Sequence, residues 1–265
     1  HPTLYNRVIN DYINVKNVYP IKIRYNDSWA RDNCPIFVTT EDNKMRLVDF
    51  RFNAWGGDFD GLYTNYRDDD LISGRLSRKL GVERYYLDDF ILEGGSIHVD
   101  GEGTCMVTKA CLLSKGRNPH LSQAEIEEKL KEYLNVTKVI WLENGIFEDE
   151  TNEHVDNVAC FIKPGVVALA WTDDKTDPQY AFSSSAYKTL KNEVDAMGRK
   201  LEVIKIKLPK PMYMSKEEAK GVRGSKYDAK PRAYGDRLAA SYINFYQGDK
   251  FVIMPGFGVP EDKLA

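Results

Sequence analysis

The residue types best suited to chemistry lie in the stretch 150–157, where a histidine and an aspartate are separated by one residue. These two are His154 and Asp156. In an extended strand, side chains two positions apart point to the same face. An imidazole beside a carboxylate is a pair that general acid–base catalysis uses. Because the apolar run 158–162 follows, we expect the pair at the mouth of a strand that leads into the core.

Two further acids precede apolar runs at a regular interval. Asp32 lies shortly before the run 36–38, and Glu93 lies shortly before another apolar run. The same interval of 61 residues separates Asp32 from Glu93 and Glu93 from His154. A polar residue that recurs at strand mouths predicts an internal repeat. We expect no basic residue beside these acids, so they indicate a planar cation as ligand, because the N–H groups of a guanidinium match a carboxylate.

The apolar pattern predicts elements that would position these side chains. A unit of two strands, a helix and a strand recurs three times, and a fourth unit begins. The predicted strands are 35–39, 45–52, 84–87, 96–99, 104–108, 136–142, 155–162, 166–171, 201–207, 241–245 and 250–254. The predicted helices are 70–80, one opened by a capping box at Ser122, and 184–197. Strands alternating with helices predict an α/β fold, and the repeated ββαβ unit favours a propeller-like ring with its site on the axis.

Composition limits the function further. The 265 residues carry a formal charge of −3 with both signs mixed, so no basic stripe predicts a nucleic-acid partner. No apolar run approaches the roughly 20 residues that a membrane span needs. No linker divides the chain, which predicts a single domain over residues 1–265. The four cysteines have no zinc spacing, which is typical of reduced thiols in a cytosolic protein.

A metal or another cofactor is not predicted. The pairs His98 with Asp100 and His154 with Asp156 have residue types that bind metals. The two pairs belong to different repeat units, however, and Glu93 alone does not complete a ligand set. His98 is expected to be a hydrogen-bonded packing residue.

Several longer motifs carry a specific resemblance. The chain resembles the agmatine deiminases of the guanidine-modifying (pentein) superfamily over almost its whole length. The matching motifs, in family order, are Asn-Asp-Ser-Trp-Ala-Arg-Asp at 26–32, Trp-Gly-Gly at 55–57, Leu-Glu-Gly-Gly-Ser-Ile-His at 92–98, Asp-Gly-Glu-Gly-Thr at 100–104, Leu-Leu-Ser-Lys-Gly-Arg-Asn-Pro at 112–119, His-Val-Asp-Asn at 154–157 and Ala-Ser-Tyr-Ile-Asn-Phe at 240–245.

The resemblance implies a five-bladed α/β propeller and a cytoplasmic, homo-oligomeric hydrolase. It would convert agmatine and water into N-carbamoylputrescine and ammonia, a step toward putrescine. By the same resemblance, Asp32 and Asp156 grip the guanidinium and Glu93 also lies at the substrate. His154 is then the general acid and base. The resemblance further implies that Trp29 lines the substrate tunnel and that Trp55 belongs to the pocket.

The sequence departs from the family pattern at the nucleophile. In the family this is a cysteine in an Ile-His-Cys segment near the C-terminus, which the 265 residues do not contain. We therefore expect the natural polypeptide to extend past Ala265. Cys34 stands where the family usually has glycine. The neighbouring Asp32 carboxylate should raise the pKa of this thiol, which disfavours it as a nucleophile.

Two alternative functions stay open from the sequence. One is a catalytically inactive guanidinium-binding module that keeps the carboxylates and lacks the nucleophile. The other is a deiminase of arginine or peptidyl-arginine. Such substrates carry a carboxylate or a backbone that needs a basic partner, and only Arg31 in the site motifs offers one. Agmatine is therefore the preferred substrate.

Overall fold

Three sheets of identical strand order form the frame of the molecule, for which the computed structural model describes residues 2–221 and 230–264. The first sheet contains β1 (Ile36–Thr39), β2 (Met45–Arg51) and β3 (Arg84–Ile91), the second β4 (His98–Val99), β5 (Thr104–Thr108) and β6 (Lys138–Leu142), and the third β7 (Ala159–Lys163), β8 (Val166–Trp171) and β9 (Glu202–Lys207). In each sheet the first two strands are antiparallel and the last two parallel.

A helical crossover precedes the last strand of each sheet. Parallel neighbours require such a connection of a dozen or more residues. The crossover helices are α5 (Ile72–Leu80), α7 (Gln123–Leu134) and α9 (Gln179–Asn192). The predicted capping box is confirmed, since Ser122 and Glu125 bond each other's backbone at the start of α7. The repeated ββαβ unit and the α/β class are therefore confirmed in these three sheets.

The middle strands lie in the core. Every residue of β5 and of β8 is buried, which explains why both are apolar runs without alternation. Two large apolar clusters pack against them. One surrounds β7 and β8, and the other lies between β2, β5 and α7. These clusters fix the positions of the sheets, and the polar residues of the predicted site lie in the short helices and turns that connect them.

Short helices and two hairpins complete the described chain. The helices are α1 (Pro2–Tyr12), α2 (Ala30–Asn33), α3 (Gly57–Asp60), α4 (Arg67–Asp70), α6 (Lys109–Leu112), α8 (Val155–Val158) and α10 (Lys216–Gly221), with 3₁₀ turns at Gly94–Ser96 and Pro260–Lys263. The hairpins pair β10 (Met212–Tyr213) with β11 (Arg237–Leu238) and β12 (Tyr246–Gly248) with β13 (Phe251–Ile253). None of the described helices is both long and apolar enough to span a bilayer.

Several predicted boundaries are wrong for local reasons. The segment 241–245 forms turns instead of a strand, although Tyr242 and Ile243 are buried as an apolar strand would be. The third crossover helix begins five residues before the predicted start, at Gln179, whose amide donates a hydrogen bond to the Asp177 carboxylate at 2.9 Å. It ends at Asn192. The predicted strand 155–162 begins only at Ala159, because α8 precedes it.

Candidate active site

A cavity of about 500 Å³ is lined mostly by short helices and loops that lie outside the three sheets. Five of the six predicted site residues line it, namely Trp29, Asp32, Trp55, His154 and Asp156. Glu93 is the exception and lies behind the cavity wall. Residues far apart in sequence therefore meet here, as the regular spacing of the acids predicts.

Asp32 occupies α2 and is only 9% exposed. Its Oδ1 accepts a hydrogen bond from the Gly95 amide at 2.8 Å, and its Oδ2 accepts one from Trp55 Nε1 at 3.0 Å. Two fixed donors thus orient the carboxylate before any ligand arrives.

His154 and Asp156 do not lie in a strand, which corrects the sequence-based prediction. His154 is the N-cap of the single-turn helix α8, and Asp156 lies inside that turn. His154 Nδ1 is 3.9 Å from Asp32 Oδ1, while its Nε2 is 3.7 Å from Glu93 Oε2. The imidazole therefore stands between two carboxylates, and the expected convergence holds although the local conformation differs.

Gly95 explains how the acids approach so closely. A Cβ at this position would lie 2.5 Å from His154 Nδ1, 2.8 Å from Asp32 Oδ1 and 2.9 Å from Asp156 Oδ2. Real Cβ atoms essentially never have such short contacts. A side chain at this position would therefore displace one or more of the three side chains that converge here.

The pKa values of His154 and Asp156 are both displaced upward. Burial alone would lower the pKa of the His154 imidazole, but the charge of Asp32 and the contacts with Cys111 and Glu93 raise it well above its usual value. Burial raises the pKa of Asp156 to about 7, which the His154 imidazole opposes and Asp32 reinforces. The site thus favours a protonated imidazole and holds Asp156 close to its titration point at neutral pH.

The expectation of acids without basic partners is wrong. Arg117 Nε lies 2.7 Å from Glu93 Oε1, and both side chains are completely buried. Arg31 Nε lies 3.5 Å from Asp156 Oδ2, with about half of the Arg31 side chain exposed. Arg117 belongs to a motif quoted for the family resemblance, but only the fold places its guanidinium behind Glu93, and periodicity gives no signal of that contact.

The two tryptophans form one corner of the cavity. Trp55 is 2% exposed and Trp29 is 56% exposed, and their rings meet edge to face with centroids 6.2 Å apart. Ala54 and Trp55 both adopt left-handed backbone conformations, with φ of 55° and 63°. Such strain in residues other than glycine persists where the surroundings fix it. Here it turns the Trp55 indole toward Asp32.

None of the four cysteines lines the cavity, all of them being in the described part of the chain. The predicted upward shift in the pKa of Cys34 is confirmed, but its causes are burial and then Asp69, and not Asp32. Burial likewise raises the pKa of Cys105 and Cys160 to about 12. These environments oppose thiolate formation.

One cluster among the described residues has metal-ligand chemistry. Atoms of Glu93, Cys111 and His154 lie within 4.8 Å of one another. The buried Arg117 guanidinium, however, already supplies a positive charge at Glu93, and this disfavours a dication at the same place. His98 Nδ1 accepts a hydrogen bond from the Phe161 amide at 3.2 Å, as expected of a hydrogen-bonded packing residue.

The outer part of the cavity carries both signs of charge, which the sequence analysis missed. Its acids include Glu148, Glu150 and Asp236, and its bases include Arg232 and Arg237. These two arginines are already paired, whereas Lys230, which also lines the cavity, forms no ion pair with the described residues. Arg232 bonds Glu150, and Arg237 forms a two-point contact with the buried Asp177. These acids lie in loops without periodicity, so no sequence pattern marked them.

Residues 4–265 match the family of Porphyromonas-type peptidyl-arginine deiminases. The chain is 52% identical over 261 residues to a putative agmatine deiminase of Listeria monocytogenes, which covers 97% of this chain and 71% of the relative. It is 49% identical over 261 residues to an agmatine deiminase of Medicago truncatula, covering 92% and 69%. The solved agmatine deiminase of Enterococcus faecalis has 45% identity and a TM-score of 0.83, covering 92% of this chain and 66% of that one.

Proposed function

Because the chain belongs to the family of Porphyromonas-type peptidyl-arginine deiminases, we propose that it hydrolyses agmatine to N-carbamoylputrescine and ammonia. The similar proteins from Listeria, Medicago and Enterococcus carry agmatine deiminase in their names. The observation that carries the proposal is the convergence of Asp32, Asp156 and His154 around Gly95 at the inner end of one cavity.

The two aspartates bind the guanidinium. Asp32 already holds two donors, and one buried oxygen of Asp156 has no hydrogen-bond partner. A guanidinium offers five N–H donors in a fixed plane, so it supplies the donor that this oxygen needs. Agmatine would displace Arg31, whose guanidinium now lies 3.5 Å from Asp156. Binding through two carboxylates also orients the central carbon for attack.

The outer cavity favours agmatine over arginine. Agmatine ends in an ammonium group, whereas arginine carries a carboxylate beside its amine. Glu148 and Asp236 line the outer wall, and the arginines there are paired with Glu150 and Asp177. Lys230 also lines the cavity and forms no ion pair with the described residues, but the lining acids outnumber the lining arginines and lysines. The wall therefore attracts an ammonium group more strongly than a carboxylate.

His154 transfers the protons of the reaction. A thiolate attacks the guanidinium carbon, and the C–N bond to the terminal nitrogen breaks as the imidazolium donates its proton, so ammonia leaves and a thiouronium forms. The neutral imidazole then removes a proton from water, which attacks the same carbon. The C–S bond then breaks and the thiolate returns, while the hydroxyl proton passes to solvent as the carbonyl of the product forms. Because the pKa of His154 is raised, its imidazole is protonated at the start of this cycle and can donate the proton of the first half.

The proposal assigns the thiolate to the family's Ile-His-Cys segment, since the four cysteines of the 265 residues do not line the cavity. It also places the three sheets in a single catalytic domain that closes as a five-bladed ring. The repeated strand order supports this arrangement. A homo-oligomer in the cytoplasm completes the proposal, on the strength of the motif resemblance.

Ammonia release from agmatine by the natural full-length polypeptide tests this function. Arginine and a peptidyl-arginine amide serve as comparison substrates. We expect turnover of agmatine to exceed that of either comparison substrate by at least about 100-fold, the scale expected when a buried or facing charge is left unpaired. Faster turnover of peptidyl-arginine would transfer the assignment to that substrate. Binding of agmatine in calorimetry without any ammonia would instead support the binding-module alternative.

A further inference from the structure

Arg117 is the most deeply buried arginine near the site, with a side chain that is completely inaccessible. It does not line the cavity. An arginine in such a position needs partners for all of its donors, because burying a charge without them is strongly unfavourable. The identity of those partners indicates what the residue does.

The guanidinium contacts two parts of the molecule at once. Its Nε lies 2.7 Å from Glu93 Oε1. Its Nη1 donates to Asn152 Oδ1 at 2.7 Å, and its Nη2 donates to the Thr151 carbonyl at 2.9 Å. Glu93 in turn lies 3.7 Å from His154 Nε2. One planar group therefore joins the acid behind the imidazole to the loop that leads into His154.

That loop is strained. Asn152 and Glu153 have φ values of 64° and 65°, and they immediately precede His154. A left-handed conformation at a residue other than glycine is unfavourable and persists only when the surroundings hold it. Further bonds hold this loop, since Thr108 Oγ1 donates to the Glu153 carbonyl and the Asn152 amide side chain donates to Asp60. On the side of the loop that faces Glu93, Arg117 donates the hydrogen bonds to Asn152 Oδ1 and to the Thr151 carbonyl.

We propose that Arg117 is a positioning residue for the reaction: it holds Glu93 against the imidazole and the 151–153 loop in the conformation that presents His154. This inference rests on the proposed deiminase function. Three groups face the imidazole and raise its pKa, namely Asp32, Glu93 and Cys111, and the charge of Asp156 also interacts with it. Of these, Glu93 is the one that Arg117 contacts, so the effect on His154 passes through that acid.

The test combines two variants with a readout that does not require turnover. Arg117→Met removes the charge and the fork, whereas Arg117→Lys keeps the charge and cannot make the three contacts. The chain has four histidines, so the His154 imidazole can be followed by NMR titration and assigned with His154→Asn. Without the charge of Arg117, burial raises the pKa of Glu93 and favours its protonated form. The pKa of His154 then falls, because the charge of Glu93 no longer raises it. Glu93→Gln should produce the same fall, and the double variant should show no further change.

Turnover supplies the second readout. We expect Arg117→Lys to lower kcat for agmatine by about 10- to 100-fold with KM changed less than about threefold, because a misplaced imidazole affects the chemical step and not the clamp. Arg84→Lys is the matched control, since Arg84 pairs with the buried Asp49 away from the cavity. It should leave kcat and the His154 titration unchanged.

The possible outcomes separate this inference from the proposed function. An unchanged His154 titration in both Arg117 variants would overturn it, and so would a rise in the pKa of His154, which would mean that Arg117 acts as a direct repelling charge. A loss of activity that follows unfolding alone, with the pH profile of kcat unmoved, would also overturn it. If the unaltered polypeptide releases no ammonia, the proposed function fails, while the NMR titration still tests Arg117.

Discussion

Replacing Asp156 by asparagine should weaken ligand binding and strengthen the fold at the same time. The residue is 5% exposed, and burial raises the pKa of its carboxyl to about 7. In the unfolded chain the same group has a pKa of about 3.9. A carboxyl whose pKa is raised on folding stabilises the fold only while it stays protonated, so stability is lost as the pH rises from about 4 to about 7.

The magnitude follows from these two pKa values. Each pKa unit corresponds to about 1.4 kcal/mol, so the charged Asp156 costs about 4 kcal/mol of folding free energy above pH 7 and about 1.5 kcal/mol at pH 5. Asparagine has nearly the same shape and no charge to bury. The Asp156 Oδ1 atom has no hydrogen-bond partner in the folded chain, so the substitution removes few contacts. We expect Asp156→Asn to stabilise the fold by up to about 4 kcal/mol at pH 8 and clearly less at pH 5.

Urea unfolding at pH 5 and pH 8 measures the stability, and calorimetry with agmatine measures the binding. Loss of a charged hydrogen bond and of one clamp carboxylate should weaken agmatine binding by at least about 100-fold. Asp195→Asn is the matched control, because Asp195 is also buried but accepts bonds from two amides and Arg199. This control should lose stability and keep its affinity. If Asp156→Asn is less stable than the parent at pH 8, the reasoning about its buried charge is refuted.

Three other perturbations test the site. Gly95→Ala should lower kcat/KM by at least about 100-fold, because a Cβ would lie 2.5 Å from His154 Nδ1. Gly221→Ala is the control and should have no effect, because no atom lies near the position of its Cβ. Full activity of the Gly95→Ala enzyme would contradict the packing argument. Trp55→Phe removes the hydrogen-bond donor to Asp32 and should weaken agmatine binding by about tenfold in calorimetry. Trp141→Phe is the control, because the Trp141 indole donates to Glu127 instead. Equal weakening by both substitutions would rule out a specific role of the Trp55 donor in binding. Agmatine affinity should rise by about 100-fold from pH 5 to pH 8, because binding needs the charged form of Asp156, whose pKa is about 7. The charged groups that act on this carboxyl are His154, Asp32, Arg31 and Asp149. An affinity that does not change with pH in calorimetry would exclude Asp156 from the guanidinium-binding pair.

The sequence predicted the repeated frame well, because buried middle strands and crossover helices leave a strong apolar pattern. The strand 104–108 and the strand 166–171 are confirmed at both ends. Boundaries next to the site were predicted poorly. At Val155–Val158 the predicted start of a strand forms a single helical turn instead. The tertiary contacts that bring His154 and Asp156 close to Asp32 override the local preference for a strand.

The partners of the site residues were harder to predict than the residues themselves. Asp32 and His154 could be identified because carboxylates and an imidazole recur at strand ends. That Glu93 faces Arg117 and not the cavity depends on which side of a buried segment its side chain takes. Side-chain direction at a turn such as Gly94–Ser96 has no periodicity that a sequence pattern can reveal.

The three sheets have a consequence for how the chain folds. Each sheet is built from a contiguous segment, 36–91, 98–142 or 159–207, so its strands can pair without the other two sheets, once the helical crossover of its parallel pair has closed. Asp32, Glu93 and His154 lie in the connections before these segments. The catalytic constellation can therefore assemble only after separate cooperative units have docked, and local opening at the junctions would dismantle it while every sheet stays intact. Amide hydrogen exchange would show this as slow exchange within the sheets and faster exchange at Gly95 and in the 151–153 loop.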